Sequence, residues 1–419
     1  MGVSIWEGTK ANDLIHTGHL LVEGFARQNL LLAQMVEQHS GTTEAELKEI
    51  HAIVQSGEAP NVFRVGDQLM LNYNDGTNDY VLPWDIVDFR DIELEDGDTK
   101  PGMILQSHYT MQALQFDASE AAFIFPSGLP VGTYHFGIGT TWGSNCVAGK
   151  VYQFTTTVAI PEGGCIVLGS NTSFYTWGAP DVNPTNWRVY TFASLASITP
   201  LETLTIAEGS SGTDVGTLSS STKYGSSGGN NLQRSAYGYN RWSHSGMRQF
   251  LNSKSAVGAW WTAKNPYDRP PQQLATLRGF MAGFDEAFLN IIKPTKVTTA
   301  LNTVSDSDIG TSESTYDTFF LSSLEEEYCV PQLANVEGSA WKYWRERLGT
   351  ASPQGWYADN TNPNHIRYAY EAKTSPQYCR LRSAIRGSAS ITWNVNPSGT
   401  VTNYNATNAL RGCPACVIC

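Results

Sequence analysis

Apolar and polar positions along the chain change their spacing twice, and each change marks a change of structure. Across residues 11–39, Leu14, Gly18, Leu21, Phe25, Gln28, Leu32 and Met35 alternate steps of four and three, a helical seam with one polar core position. Leu20, Val22, Leu30 and Leu31 widen that stripe beyond a two-stranded seam. It predicts a helix that either docks on its own domain or self-associates as a coiled coil, a trimer being the oligomer favoured. A second helix is predicted from Thr43, where Thr43 and Glu46 form a capping-box pair and Leu47, Ile50 and Val54 share one face. Ser56-Gly57-Glu58-Ala59-Pro60 then breaks it.

From Val62 the spacing becomes that of strands: Val62 to Val65, Leu69 to Tyr73, an Asn74-Asp75-Gly76 turn, Tyr80 to Val87, then Met103 to Leu105 and a short stretch from Tyr109 to Leu114. Residues 118–225 carry short β runs separated by Gly, Pro and Ser, such as Gly132 to Gly137 and Val151 to Thr155, with almost no helical period. They predict an inserted β-sandwich-like domain, ending in a Ser- and Gly-rich linker from Ser219 to Gly229. Two helical segments follow, Ser245 to Asn252 and Phe284 to Ile292, then strands at 296–303, 318–322, 378–383, 390–394, 400–404 and 415–418. The fold class is therefore α+β. The segments are an N-terminal helical attachment or oligomerisation segment (1–58), a main domain (60–117 and 226–419) and the insertion (118–225).

Composition narrows the function. With 419 residues, 41% of them hydrophobic, the chain can bury a sizeable core. A formal charge of −12 and the lack of a Lys/Arg stripe argue against a nucleic-acid partner. Met1 to Glu7 lack a basic region followed by an apolar run, so no secretory signal is expected, and no long apolar run predicts membrane insertion. Seven scattered cysteines do not make the framework of a small secreted protein. Cys413 and Cys416 have C-x-x-C spacing but no second ligand pair, which favours buried strand cysteines over a metal or redox site. From Gln354 to the C-terminus Trp, Tyr, Asn, Ser and Arg crowd together, a composition suited to recognition loops.

Several segments also carry a family likeness. The runs Trp242 to Asn252, Lys293-Pro294-Thr295, Thr315 to Glu325, Cys379 to Ser383 and Arg411-Gly412-Cys413-Pro414-Ala415 are similar, in order, to the signposts of a C-type-lectin-like domain of phage and bacterial proteins. Cys413 stands where that family usually has Arg, and the usual Trp-Trp before Leu381 is missing. The resemblance covers most of residues 60–419, with the insertion outside it. It implies a C-type-lectin-like fold. It also implies kinship with proteins that a diversity-generating retroelement rewrites near the 3′ end of the gene at adenine-rich codons such as those of Asn. True calcium-dependent lectins need a Glu-Pro-Asn or Gln-Pro-Asp loop and a Trp-Asn-Asp, whose oxygens hold the ion at ~2.3–2.6 Å. Here Trp393-Asn394 is followed by Val395, so neither metal nor cofactor is expected.

The remaining charge runs suggest no enzyme. Glu325-Glu326-Glu327 reads as a solvated helix start, and the acidic residues from Asp85 to Asp98 as a polar hairpin tip. His108, His244 and His365 have no nucleophile motif beside them. Trp341 and Trp344, three apart, can face inward or outward. The expectation is a phage virion structural protein that mediates host attachment and receptor binding. Its candidate contact surface is Trp356, Tyr357, Asn360, Asn362, Asn364, His365, Tyr368, Arg386, Trp393, Asn394 and Asn396. The expected partners are a host-surface protein or glycan, further copies of the chain as a homo-oligomer, and other virion proteins. A cell-surface or secreted lectin-fold binder is the alternative, followed by a cysteine-dependent lectin-fold enzyme.

Overall fold

The second helix forms where its cap predicts. In the computed structural model, which describes residues 41–141, 147–168, 187–190, 201–220 and 228–419, it spans Glu44–Gln55. Thr43 N donates to Glu46 Oε2 at 2.7 Å, and Glu46 N donates to Thr43 Oγ1 at 3.4 Å. The seam predicted for residues 11–39 lies outside the described residues. Leu47, Ile50 and Val54 are buried in the main core, against strand Thr99–Ser107 and the short helix Glu286–Leu289. The helix is thus part of the main domain, which corrects its assignment to a separate N-terminal segment. Val62 also changes element. It closes a helical turn, Ala59–Val62, because Pro60 suits the first turn of a helix, where no N–H is needed.

The main sheet brings distant parts of the chain together. Its order is Gln68–Asn74, Asp79–Glu93, Thr99–Ser107, Pro414–Ile418, Phe320–Leu321, so the last strand pairs antiparallel with the third. The Asp96-Gly97-Asp98 turn joins two of these strands, but Asp85 lies in the core rather than at the tip. Under the sheet sits an aromatic cluster. Phe319 stacks on Phe284 at 5.2 Å and meets Phe280 edge-on at 5.1 Å, with Trp84 5.8 Å away. Such pairs add about 0.5–1.5 kcal/mol each beyond the area they bury.

A second sheet carries the C-terminal half, in the order Val401–Asn405, Ile391–Val395, Cys379–Ala384, Ala409–Gly412, Leu114–Gln115. Leu381, Trp393, Val395 and Val401 pack with Cys379 and Cys413 into a core of their own. Strand Ser312–Asp317 was not expected from its polar sequence; it pairs with Thr295–Ala300, and Arg241 and Arg248 bind its Glu313 and Asp317.

Among the described residues, the strands of the insertion form one nine-stranded mixed sheet. Strand Glu202–Leu204 at one end touches Val151–Thr156 near the other, so the sheet curls over its own apolar core. It returns to the main domain through Gly228–Asn231, beyond the expected boundary at 225. Of the expected linker, Ser219, Gly228 and Gly229 lie in strands, while residues 221–227 lie outside the described residues. At the seam Glu120 and Arg234 form a buried ion pair, with Asn230 and Asn265 also donating to Glu120 at 2.7 and 3.0 Å. The fold is mixed α+β with more strand than helix. Truncating its aromatic centre tests the packing: Phe319→Ala should lower unfolding free energy by about 3–5 kcal/mol in chemical denaturation.

Candidate functional site

Loop 354–366 and turn 396–400 meet at the edge of the second sheet and build one surface. Asn396 folds the turn, its Oδ1 accepting from Ser398 N at 2.9 Å and Thr400 N at 3.0 Å. Gly399 then comes so close to the loop that a Cβ would lie 2.0 Å from the Asn362 carbonyl oxygen, at a φ of +83° that suits only glycine. Asn362 N donates to Gly399 O at 3.1 Å, and Tyr357 N to Val401 O at 2.7 Å. Trp356 packs on Trp393 at 4.8 Å and donates from Nε1 to Val330 O at 2.7 Å, so it is half-buried support. Tyr357 stands out with 51% of its surface exposed and a backbone φ of +67°. Such a conformation costs a non-glycine residue about 1–3 kcal/mol and persists only where the surroundings impose it.

The expected contact residues divide on this geometry. Tyr357, Asn360 and Asn364 are exposed on the loop, and Trp356, Asn362 and Asn396 are half-buried beside them. His365, Trp393 and Asn394 are fully buried, which corrects their placement on a contact surface. Trp393 turns inward because alternate residues of strand Ile391–Val395 face the core, and Asn394 is covered on the opposite face. Tyr368 lies elsewhere, in a two-stranded ladder against Pro376–Gln377. Arg386 is tied down, its guanidinium donating to Leu301 O at 3.0 Å and Thr311 O at 3.2 Å.

Beneath the loop runs a buried polar spine that sequence reading did not foresee. Gln354 Nε2 donates to Asn360 O at 2.6 Å and Gly399 O at 2.8 Å, holding loop and turn together. Those two bonds fix the amide, leaving its Oε1 at 2.8 Å from His365 Nδ1. His365 Nε2 lies 2.8 Å from Glu327 Oε2. The ring of His365 thus bridges Gln354 and Glu327, one oxygen at each nitrogen. Gln106 Nε2 donates to Glu327 Oε1 at 3.1 Å, Arg367 Nη2 to Gln106 Oε1 at 2.9 Å, and Arg367 Nη1 reaches Asp85 Oδ2 at 3.3 Å. His108 closes the chain near the surface, 2.9 Å from Asp85. Burial opposes the charge on Glu327, but the hydrogen bond and charge of His365, with Ser322 and Arg367, outweigh it and lower its pKa.

Glu326 and Glu327 are therefore not a solvated helix start. Glu326 forms a buried pair with Arg382, and Glu327 belongs to the spine. The signal for the missed residues was a polar side chain inside an apolar run, as in Trp84-Asp85-Ile86 and Met103-Ile104-Leu105-Gln106. A cleft of about 230 Å³ lies beside Glu326, Glu337, Arg382 and Trp341, where Glu326 is bonded to Arg382 and Glu337 to Ala300 N and Ser383. Trp341 and Trp344 are both buried. Cys413 and Cys416 face different cores, and the thiol of Cys416 is raised well above its ordinary pKa by burial. Among the described residues, no group of three His, Cys, Asp or Glu side chains is placed to hold a metal ion.

Residues 217–418 match a family model described as a domain of unknown function, DUF6273. The matched stretch begins in insertion strand Thr213–Ser219, ends in the closing strand, and contains Glu327, Gln354, His365 and Arg367. Asp85, Gln106 and His108 precede it. No curated protein and no solved structure matches the chain.

The spine has a pH signature. Burial raises the Asp85 carboxyl, but the His108 hydrogen bond and the charges of Arg367 and His108 prevail and set its pKa at about 2, below its ordinary 3.8. Its stabilisation is fully present above about pH 4 and is lost as pH falls toward 2. Denaturation curves across that window should show the wild type losing about 2 kcal/mol that Asp85→Asn does not lose.

Proposed function

We propose that the chain is a phage virion-associated binding protein with a C-type-lectin-like main domain, displaying the Tyr357 surface to a host-surface protein or glycan. The observation that carries this reading is Tyr357 itself, an exposed aromatic held at φ +67° on a loop clamped from below. Backbone strain kept at an exposed aromatic is the pattern of a displayed contact. Exposed Asn360 and Asn364 surround it with adaptable polar groups, and these are the positions that adenine-directed diversification would rewrite. Pairing of the closing strand with Thr99–Ser107 supports the lectin-like assignment, because the loops between them then project as one unit from a closed base. The segment before Thr43, with its predicted helical seam, would join copies, as a trimer, or attach them to other virion proteins. Several copies make a weak single contact effective through avidity. Cysteine-dependent catalysis by the Cys413–Cys416 pair gains no support, because those two thiols lie buried in separate cores.

Tyr357→Gly separates display from folding, since glycine accepts this backbone conformation. The variant should melt at the same temperature as wild type or higher, while attachment to host cells falls at least about tenfold, as for loss of an aromatic hot spot. Unchanged attachment would remove Tyr357 from the contact surface and the proposal with it.

A further inference from the structure

Strand Val401–Asn405 ends its sheet, and among the described residues no further strand lies outside it. Its hydrogen-bonding parity is fixed at both ends, by Asn396 N donating to Thr400 O and Ala406 N to Ser390 O, each at 2.8–2.9 Å. The main-chain groups of Thr402 and Tyr404 therefore face strand Ile391–Val395, while those of Val401, Asn403 and Asn405 point away from it. Two outward carbonyls are occupied: Val401 O by Tyr357 N at 2.7 Å, and Asn405 O by Asn408 N at 3.1 Å. The N–H and C=O of Asn403 and the N–H of Asn405 continue the outward row. Residues 402–405 are all partly exposed, and among the described residues no strand pairs with their outward edge.

The chain itself shows what fits there. Trp356 pairs with Val401 as a single parallel bridge, and Tyr357 donates the bond that begins a ladder. The positive φ of Tyr357 then turns the backbone off the edge after one rung. Its ring stays beside the open rung, where Asn403 Nδ2 donates to Tyr357 Oη at 3.2 Å. We infer that the edge Asn403–Asn405, continued from the Trp356–Val401 bridge, takes an extended polypeptide segment of the target protein by strand addition, with Tyr357 packing on its side chains. Peptide groups repeat every two residues, about 6.8 Å, which matches an outward row of alternate residues. Sugar hydroxyls have no such period. Open edges of this kind are templates that most folds cover. The inference rests on the Tyr357 surface being the contact surface, and narrows its partner to protein.

The test selects binders to the full chain from a displayed library of twelve-residue peptides, then measures the best of them against variants. Asn403→Pro and Asn403→Ala both lose the side chain, but only proline removes the outward N–H, and an outward position on an edge strand tolerates it. Strand addition predicts binding at least about tenfold weaker to Asn403→Pro than to Asn403→Ala, and slowed amide exchange at Asn403 and Asn405 in the complex. N-methylation of alternate peptide residues, which leaves the protein unaltered, should weaken binding to a similar extent. If no peptide is selected, or if selected peptides ignore both the proline and the methylation, strand addition is wrong. Where Tyr357→Gly still abolishes host attachment in that case, the contact surface stands without it. Indifference to Tyr357→Gly as well removes both.

Discussion

The pairing of His365 with Glu327, buried and capped by Gln354, is the contact on which the displayed surface depends. A carboxylate buried without a partner costs several kcal/mol, so Glu327 fixes the position of the ring that bonds it. Gln354 then converts that fixed point into geometry: its oxygen meets His365, and its nitrogen reaches across to Asn360 and Gly399. Loop and turn thus share one anchor. Tyr357 can be held in a strained conformation only because the residues on either side of it have no freedom to relax.

The anchor in turn depends on the closed base. Gln106 and Asp85 sit on neighbouring strands of the main sheet, and Cys413, whose carbonyl faces Gln106, precedes the closing strand. Placing the last strand beside Thr99–Ser107 is what brings Asp85 and Gln106 within reach of Arg367 and Glu327. Trp344 lines the same path, donating to Gln106 at 3.1 Å and lying 4.7 Å from His365. The insertion is held differently, through Glu120, Arg234 and the asparagines around them. Burial and the charge of Glu120 push the Asp268 carboxyl there up to about 7. Its connection to the main domain therefore includes buried charged groups, Glu120 and Arg234 among them.

Local signals in the sequence were read well and distant pairings were not. The Thr43–Glu46 cap, the Asp75-Gly76 hairpin turn and the β-rich insertion all rest on neighbours within a few residues, and the described structure has each of them. Glu326 and Glu327 looked solvated because their basic partners are distant in sequence: Arg382 and His365 bond them from 56 and 38 residues away. Strand Ser312–Asp317 has no apolar alternation, and its partner strand and two arginines stabilise it instead. Trp393 and Tyr357 belong to similar stretches of sequence, yet one is core and the other surface. Strand register decides the first and a positive φ the second, and neither is visible in residue type.

The most direct measurement is native-state amide exchange in Gln354→Leu, which keeps the side-chain bulk and removes both loop bonds and the cap on His365. If the spine holds the display surface, the amides of Tyr357, Asn362 and Asn396 exchange faster together, while those of strand Thr99–Ser107 keep wild-type protection. Unchanged exchange at Tyr357 and Asn362, with His365 still ordered, would contradict it.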